Sequence, residues 1–288
     1  SVYLIGGSVS NSGVITSPQG EVILAAGQTV TLADTATPGV TVDVTGSAGN
    51  VTNLGTITAE AGRIGVAAGL ITNSGVINAS SVVREGGRIF LRASGNLTTT
   101  TSSSISADGT KGGNVTLYAA NAAFIDGDVS AVGAPGQGGF VDTSGLKRLD
   151  VVKVPKVGTG GTWLIDPHDL EVVANNTNNT ESSFDGCSSY AVTSTDSGAT
   201  ISAATISNQL SNGVNVSLTT GDSDGVGGNI TVSANITKTG GTDSTLTLNS
   251  ANNISIRANI ISESGRLGLT LNSGYVQSSQ ESFSEARI

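Results

Sequence analysis

The feature that most constrains this chain is a short repeat that returns along most of its length. One unit reads Asn-x-Gly-x-Ile and starts at Asn11, Asn53 and Asn73, which are 42 and 20 residues apart. This spacing predicts two turns of about 21 residues followed by one of about 20. Repeats of this length are typical of solenoids, in which each turn stacks on the turn before it.

A second repeated unit places a glycine before two aliphatic residues that alternate with other residues. It starts at Gly20, Gly62, Gly87, Gly113 and Gly228. The alternation puts Val, Ile and Leu on one face and polar residues on the other, as in a half-buried strand. Glycine and asparagine at the strand starts tolerate the positive φ that sharp corners require. Each turn is therefore predicted to hold two or three short strands.

Together the two units predict an all-β fold, a parallel β-solenoid with one short helix and an irregular excursion. A single turn cannot bury its apolar face, whereas stacked turns share one core and pair their backbone groups. Aromatic residues make up 3% of the chain, which fits a narrow core of small aliphatic side chains. With about 23 residues in a turn and about 4.8 Å between turns, we expect about twelve turns and a rod roughly 60 Å long.

Breaks in the repeat predict four regions. A first solenoid block covers residues 1–146, and an irregular strap with a polar excursion covers 147–200. A short helix and a second solenoid block cover 201–276, and a frayed tail covers 277–288. The helix is predicted from three apolar residues at helical spacing, a serine suited to the N-cap and a glycine suited to the stop. These residues are Ala203, Ile206, Leu210, Ser202 and Gly213.

The strap contains the only tryptophan of the chain, Trp163. We expect its ring to anchor an irregular passage to the solenoid flank, and the alternative is that it stacks against a ligand. The excursion is rich in asparagine and includes the single cysteine, Cys187. Trp163, Asn175 and Asn178 are therefore the candidate ligand contacts.

Four stretches of the sequence resemble the filamentous-haemagglutinin-like large exoproteins of two-partner secretion. They are residues 2–15, 20–27, 138–145 and the Trp-Leu-Ile-Asp-Pro segment at 163–167. The resemblance implies a right-handed parallel β-helix in a secreted adhesin of a Gram-negative bacterium, displayed outside the cell or on its surface. It also implies attachment to a glycan or protein of host or bacterial cells, and export through an outer-membrane barrel transporter.

The resemblance is incomplete at the amino terminus. The family's secretion module carries an Asn-Pro-Asn signature, which this sequence lacks. The chain therefore resembles a fragment that begins near the end of that module.

The charge balance restricts the partners. Thirteen Lys and Arg residues against 22 Asp and Glu residues give a formal net charge of −9. This charge argues against nucleic acid as a partner, because nucleic-acid binding depends on basic surfaces. End-to-end self-association into a filament is a further hypothesis, since the exposed strand edges of a solenoid invite pairing with another chain.

Parallel β-helices also include polysaccharide lyases and hydrolases, so a carbohydrate-active enzyme is the main alternative to an adhesive shaft. Sugar hydrolysis needs two carboxyl groups that face one substrate. Asp126 with Asp128, and Asp166 with Asp169 beside His168, are the pairs that lie close in sequence. We interpret them as solvated turn carboxylates and predict that the protein is not an enzyme, with no catalytic residues.

Asp222 and Asp224 are weak candidates for a cation loop. The pattern of a calcium-binding EF-hand fails at Val226, where a ligand is needed. A chain with one histidine and one cysteine also lacks the usual ligands of a zinc site. We therefore predict a surface turn at Asp222 and Asp224, with no metal and no cofactor.

Overall fold

The structure is a computed structural model that describes residues 1–34, 40–174, 188–189, 198–221 and 228–274. The strands before residue 131 are β1 (Val2–Gly6), β2 (Ser8–Asn11), β3 (Val14–Thr16), β4 (Glu21–Asp34), β5 (Val40–Ala48), β6 (Asn50–Asn53), β7 (Thr56–Thr58), β8 (Arg63–Asn73), β9 (Val76–Asn78), β10 (Arg88–Thr99), β11 (Ser104–Ser106), β12 (Asn114–Ala119), β13 (Ala122–Ile125) and β14 (Asp128–Ser130). The later elements are β15 (Phe140–Gly145), β16 (Arg148–Val151), β17 (Thr162–Pro167), β18 (Asp169–Val173), β19 (Ser188–Ser189), β20 (Gly198–Ser202), α1 (Ala203–Ser211), β21 (Asn215–Thr220), β22 (Ile230–Val232), β23 (Ile236–Lys238), β24 (Ser244–Ser250), β25 (Ile254–Ile256), β26 (Ile260–Ser262) and β27 (Leu267–Ser273).

Ten strands stack side by side as the main sheet of the molecule, in the order β1-β4-β8-β10-β12-β15-β17-β21-β24-β27. A second sheet has the order β14-β11-β9-β7-β3 and forms another side of the coil. Among the described strands, the only antiparallel pairs are β4 with β5 and β19 with β20. The predicted all-β parallel solenoid with one short helix is thus confirmed.

A representative turn consists of β8 followed by β9. The first half of β8 pairs with β4 and its second half pairs with β6, while β9 pairs with β7 on the second sheet. Each such turn therefore has three straight segments, which agrees with the predicted two or three strands.

The separation of 42 residues between Asn11 and Asn53 is one turn, and the prediction of two turns is wrong. These two asparagines are direct partners in the pairing of β2 with β6. The additional residues extend β4 beyond the main sheet and return as β5, so they form an antiparallel hairpin. A hairpin and a solenoid strand share the same two-residue alternation, so the sequence pattern does not distinguish them.

The hairpin lies on the outer face of the main sheet. It covers Ile23, Ala25 and Ala67, which point away from the central core and are nevertheless buried. Val30 and Val44 pack against them from the hairpin side. With this hairpin and the long connection between β17 and β21, ten main-sheet strands take up the described chain, fewer than the twelve predicted turns. Nine strand spacings make a stack of about 43 Å.

The central core consists of inward side chains that stack in columns from turn to turn. Parallel pairing in register places equivalent side chains directly above one another, so each column runs along the rod. One column is almost entirely aliphatic, and its members are Val22, Ile64, Ile89, Val115, Val141, Trp163, Val216 and Leu246.

The predicted strap is more regular than expected. Its described part contains β16, β17 and β18, which pair in parallel with strands of neighbouring turns. Trp163 belongs to β17 and is fully buried in the core column, so its predicted position on the flank is wrong. The tryptophan is accommodated beside Thr143, a smaller residue than the Leu117 of the preceding turn.

The helix is confirmed in the predicted place. The Ser202 hydroxyl caps α1 by accepting a hydrogen bond of 3.1 Å from the Thr205 amide, and Gly213 has a φ of +73° just after the helix. No helix in the described ranges is long and apolar enough to cross a membrane. The asparagine-rich run from 175, Cys187 and the predicted tail 277–288 lie outside the described residues.

A row of buried asparagines lines one corner of the coil. Asn11 donates from Nδ2 to Asn53 Oδ1 at 2.8 Å, and Asn53 donates in the same way to Asn73 at 2.8 Å. Asn53 and Asn73 are 2% and 1% exposed. The ladder accounts for the asparagine of the repeat unit, because each side chain satisfies a polar group of the next turn.

We expect Asn53→Ala to destabilise the fold by about 2–4 kcal/mol, because it removes two buried hydrogen bonds and leaves their partners unsatisfied. The matched control is Asn121→Ala, since Asn121 donates to Asn96 at 2.7 Å in an exposed ladder. The control should cost less than about 0.5 kcal/mol. Urea denaturation followed by circular dichroism measures both, and equal costs would contradict the role of the buried ladder.

Candidate functional site

The predicted ligand contacts fall in different parts of the structure. Trp163 has no exposed surface, and its Nε1 donates a hydrogen bond of 3.1 Å to Thr143 Oγ1. Packing therefore accounts for the tryptophan, whose ring offers no face to a ligand. Asn175 and Asn178, and the cation candidates Asp222 and Asp224, lie outside the described residues.

The first carboxylate pair is held by local contacts on the surface. Asp126 accepts a hydrogen bond from the Thr101 hydroxyl, and Asp128 lies 3.5 Å from Lys153 Nζ. These contacts connect successive turns of the coil, which is a structural use of both carboxylates.

The second pair is not solvated, contrary to the prediction. Asp166 and His168 are 1% and 4% exposed. Asp169 Oδ1 accepts hydrogen bonds from the backbone N–H and the side chain of Asn229, and its Oδ2 lies 3.1 Å from His168 Nδ1. Asp169 thus joins two turns of the coil. Within the described residues no three His, Cys, Asp or Glu side chains are grouped as metal ligands would be.

A cluster of arginines and aromatic rings lies on the outer face of the main sheet. We call it the arginine–aromatic patch and define it as Arg63, Arg88, Phe90, Arg92 and Tyr118. These residues come from β8, β10 and β12, three adjacent strands, so they form one continuous surface. The patch borders the hairpin, because Phe90 packs against the small apolar cluster that the hairpin covers.

Arg63 is the most constrained member of the patch. Its Nη1 lies 3.1 Å from Glu21 Oε1, and its guanidinium lies 4.6 Å from the centre of the Phe90 ring. The Tyr3 hydroxyl donates to the other oxygen of Glu21 at 2.8 Å. Burial lowers the pKa of Arg63 and the charge of Arg88 adds to this, whereas Glu21 raises the pKa.

Arg92 and Tyr118 form a second stacked pair. The guanidinium of Arg92 lies 5.1 Å from the centre of the Tyr118 ring. Burial raises the pKa of the Tyr118 hydroxyl, and nearby Asp166 and Asp142 act in the same direction, whereas Arg92 lowers it. A guanidinium on an aromatic face keeps its N–H donors in its own plane, so the stacking does not consume them.

Arg88 completes the patch and is exposed. It is the direct neighbour of Arg63 across the parallel pair β8 and β10. Sequence reasoning did not identify this cluster, although residues 88, 90 and 92 alternate with the buried 89 and 91. Reading the outward positions of each repeat unit as columns would have revealed it.

Comparisons with known proteins give one structural likeness. No protein-family model and no curated protein matches the chain. A solved structure that is similar is the HMW1 secretion domain from Haemophilus influenzae, with 21% sequence identity and a TM-score of 0.48. The match covers 92% of this chain and 61% of that structure. The chain therefore spans about three fifths of the length of that domain.

Proposed function

We propose that this chain is part of the stiff shaft of a secreted bacterial exoprotein, and that its outer face makes adhesive contacts with cells or surfaces. The observation that carries the proposal is the continuous core of ten stacked parallel strands. A core shared by all turns holds each turn against its neighbours, so the coil behaves as a rod and presents fixed columns of outward side chains.

The resemblance of four sequence stretches to filamentous-haemagglutinin-like exoproteins supports secretion and adhesion. The proposal includes export through an outer-membrane transporter and a glycan or protein of another cell as the partner. It also assigns no catalytic step to the chain. The structural roles of Asp128, which pairs with Lys153, and of Asp169, which binds Asn229, support this part of the proposal.

Adhesion of coated beads tests the proposal directly. Beads that carry the purified folded protein should bind to bacterial or host cells in a saturable way, and soluble protein should compete. Beads that carry the unfolded protein are the control, because they present the same composition without ordered columns. Absence of folded-specific binding across cells and a glycan array would overturn the adhesive function.

Enzyme assays test the non-catalytic part. The protein is incubated with a panel of acidic and neutral polysaccharides, and the products are assayed for unsaturated and reducing sugars. We expect no release above that of a heat-denatured sample. Sustained release of either product would replace the proposed shaft function with that of a carbohydrate-active enzyme.

A further inference from the structure

We propose that the arginine–aromatic patch binds a linear polysaccharide that carries carboxylate groups, such as a polyuronate. This inference rests on the proposed adhesive function and names the partner of one surface. Three of the eight arginines of the chain lie in the patch, although the protein as a whole has a net charge of −9. The concentration of positive charge on one face of an acidic protein is the starting observation.

The pairing of Arg63 with Arg88 is unfavourable for the isolated fold. Like charges that lie directly opposite on neighbouring strands repel each other. Glu21 neutralises one of the two arginines through its contact with Arg63. Within the described residues no carboxylate forms an ion pair with Arg88, which is exposed. An external anion beside Arg88 would remove this repulsion, so the column is suited to bind one.

The existing contact in the column indicates which anion fits. Glu21 already places a carboxylate against Arg63, one strand away from Arg88. A planar guanidinium matches a planar carboxylate by two parallel hydrogen bonds. A carboxylate of the partner beside Arg88 would extend the alternation of Glu21, Arg63 and Arg88 by one more anion.

The spacing of the arginines favours a polymer. Arg88 and Arg92 are four residues apart on β10, or about 13 Å in an extended strand, and Arg63 is about 4.8 Å from Arg88 across the sheet. One small anion cannot reach all three side chains. A chain with carboxylates attached to successive sugar rings presents them at fixed spacing, which lowers the entropy lost on binding.

Two other polyanions fit the surface less well. An acidic peptide usually binds by adding a strand to a sheet edge or by entering a groove, whereas β10 is paired on both sides. DNA carries one charge per about 1.7 Å of its axis, and the overall acidity of this protein opposes so dense a polyanion. A polysaccharide with sparse carboxylates needs only the local patch, because salt screens more distant charges beyond about 8 Å.

The test measures binding of polygalacturonate to the purified full chain by biolayer interferometry. We expect the double variant Arg88→Gln/Arg92→Gln to bind roughly tenfold or more weakly, since each charge-assisted contact contributes a sizeable part of the affinity. The Arg88→Lys/Arg92→Lys variant should lie between, because it keeps the charge and loses the planar fork.

The matched control is Arg84→Gln/Arg257→Gln, which removes the same charge from two exposed arginines outside the patch. It should change the affinity less than about twofold, if binding is local rather than a response to net charge. Circular dichroism melting confirms that each variant is folded. An equal loss in control and patch variants, or no binding of polygalacturonate, would overturn the proposal, as would tighter binding of heparin, DNA or polyglutamate.

The outcome separates this inference from the proposed adhesive function. If beads with the patch variant still attach to cells like wild type, adhesion stands and the assignment of the patch to adhesion fails. If wild-type beads attach to no cell but polygalacturonate binding depends on Arg88 and Arg92, the site stands and adhesion to cells fails.

Discussion

Replacing Gly75 by alanine should destabilise the protein by about 3–5 kcal/mol, near the upper end of what overpacking costs. A Cβ on Gly75 would lie 2.1 Å from the carbonyl oxygen of Gly55 and 2.8 Å from the carbonyl carbon of Leu54. Both neighbours are backbone atoms of the adjacent turn and cannot move away without breaking the stack. The same Gly55 oxygen accepts the hydrogen bond from the Val76 amide at 2.9 Å, so the clash also weakens the pairing of β7 with β9.

The repeat provides its own control at Gly13. This glycine occupies the same position of the Asn-x-Gly-x-Ile unit, but a Cβ there would meet no atom within 4 Å. Gly13→Ala should therefore change the free energy of unfolding by less than about 1 kcal/mol, and it can even stabilise by restricting the unfolded chain. Denaturant titration of the two variants compares them. Similar destabilisation by both would show that the close approach of turns does not explain the conserved spacing within this chain.

Trp163→Ala should cost about 3–5 kcal/mol, because it removes a large buried side chain from the continuous core. The tryptophan is 0% exposed and stacks between Val141 and Val216 in its column. Far-UV circular dichroism should follow the unfolding, since Trp163 is the only tryptophan and its fluorescence disappears in the variant. A loss below about 1 kcal/mol would contradict the core position.

The hydrogen bond of the tryptophan can be tested separately by a double-mutant cycle. Trp163 Nε1 donates to Thr143 Oγ1, which in turn donates to the Leu164 carbonyl oxygen at 3.1 Å. Thr143→Val leaves the buried indole N–H without its acceptor, whereas Trp163→Phe removes the donor. We expect the double variant to cost about 1 kcal/mol less than the sum of the two single variants. Strict additivity would mean that this hydrogen bond contributes nothing.

The sequence predicts the fold class well because each repeat unit reports a local requirement. The asparagine of the first unit lies in the buried ladder, and its glycine lies where turns approach closely. Ser202 and Gly213 similarly mark the ends of α1, because capping depends on a few neighbouring atoms.

The sequence does not reveal where a turn is enlarged. The hairpin of β4 and β5 has the same alternation as the turns, and only its antiparallel pairing in space distinguishes it. The position of Trp163 was missed for a related reason. Ring size suggested the flank, whereas the smaller Thr143 in the neighbouring turn makes room in the core.

The candidate site was missed because sequence reasoning searched within motifs. Arg63, Arg88 and Tyr118 belong to three separate repeat units, and only the register of β8, β10 and β12 brings them together. Outward residues obey no motif, so their grouping depends on the number of residues in each turn. The turns from Glu21 to Arg63 and from Arg63 to Arg88 take 42 and 25 residues.

The stacking of turns also has a mechanical consequence. A load along the axis of the rod pulls on the hydrogen bonds between turns, and it acts on the outermost turn first. That turn can peel away while all the others remain folded, because each turn contacts mainly its neighbours. Every released turn adds a length of extended chain far greater than its height in the stack. Such a shaft would yield by stepwise lengthening under tension, and the enlarged turn with the hairpin would release the longest step of the first part of the rod.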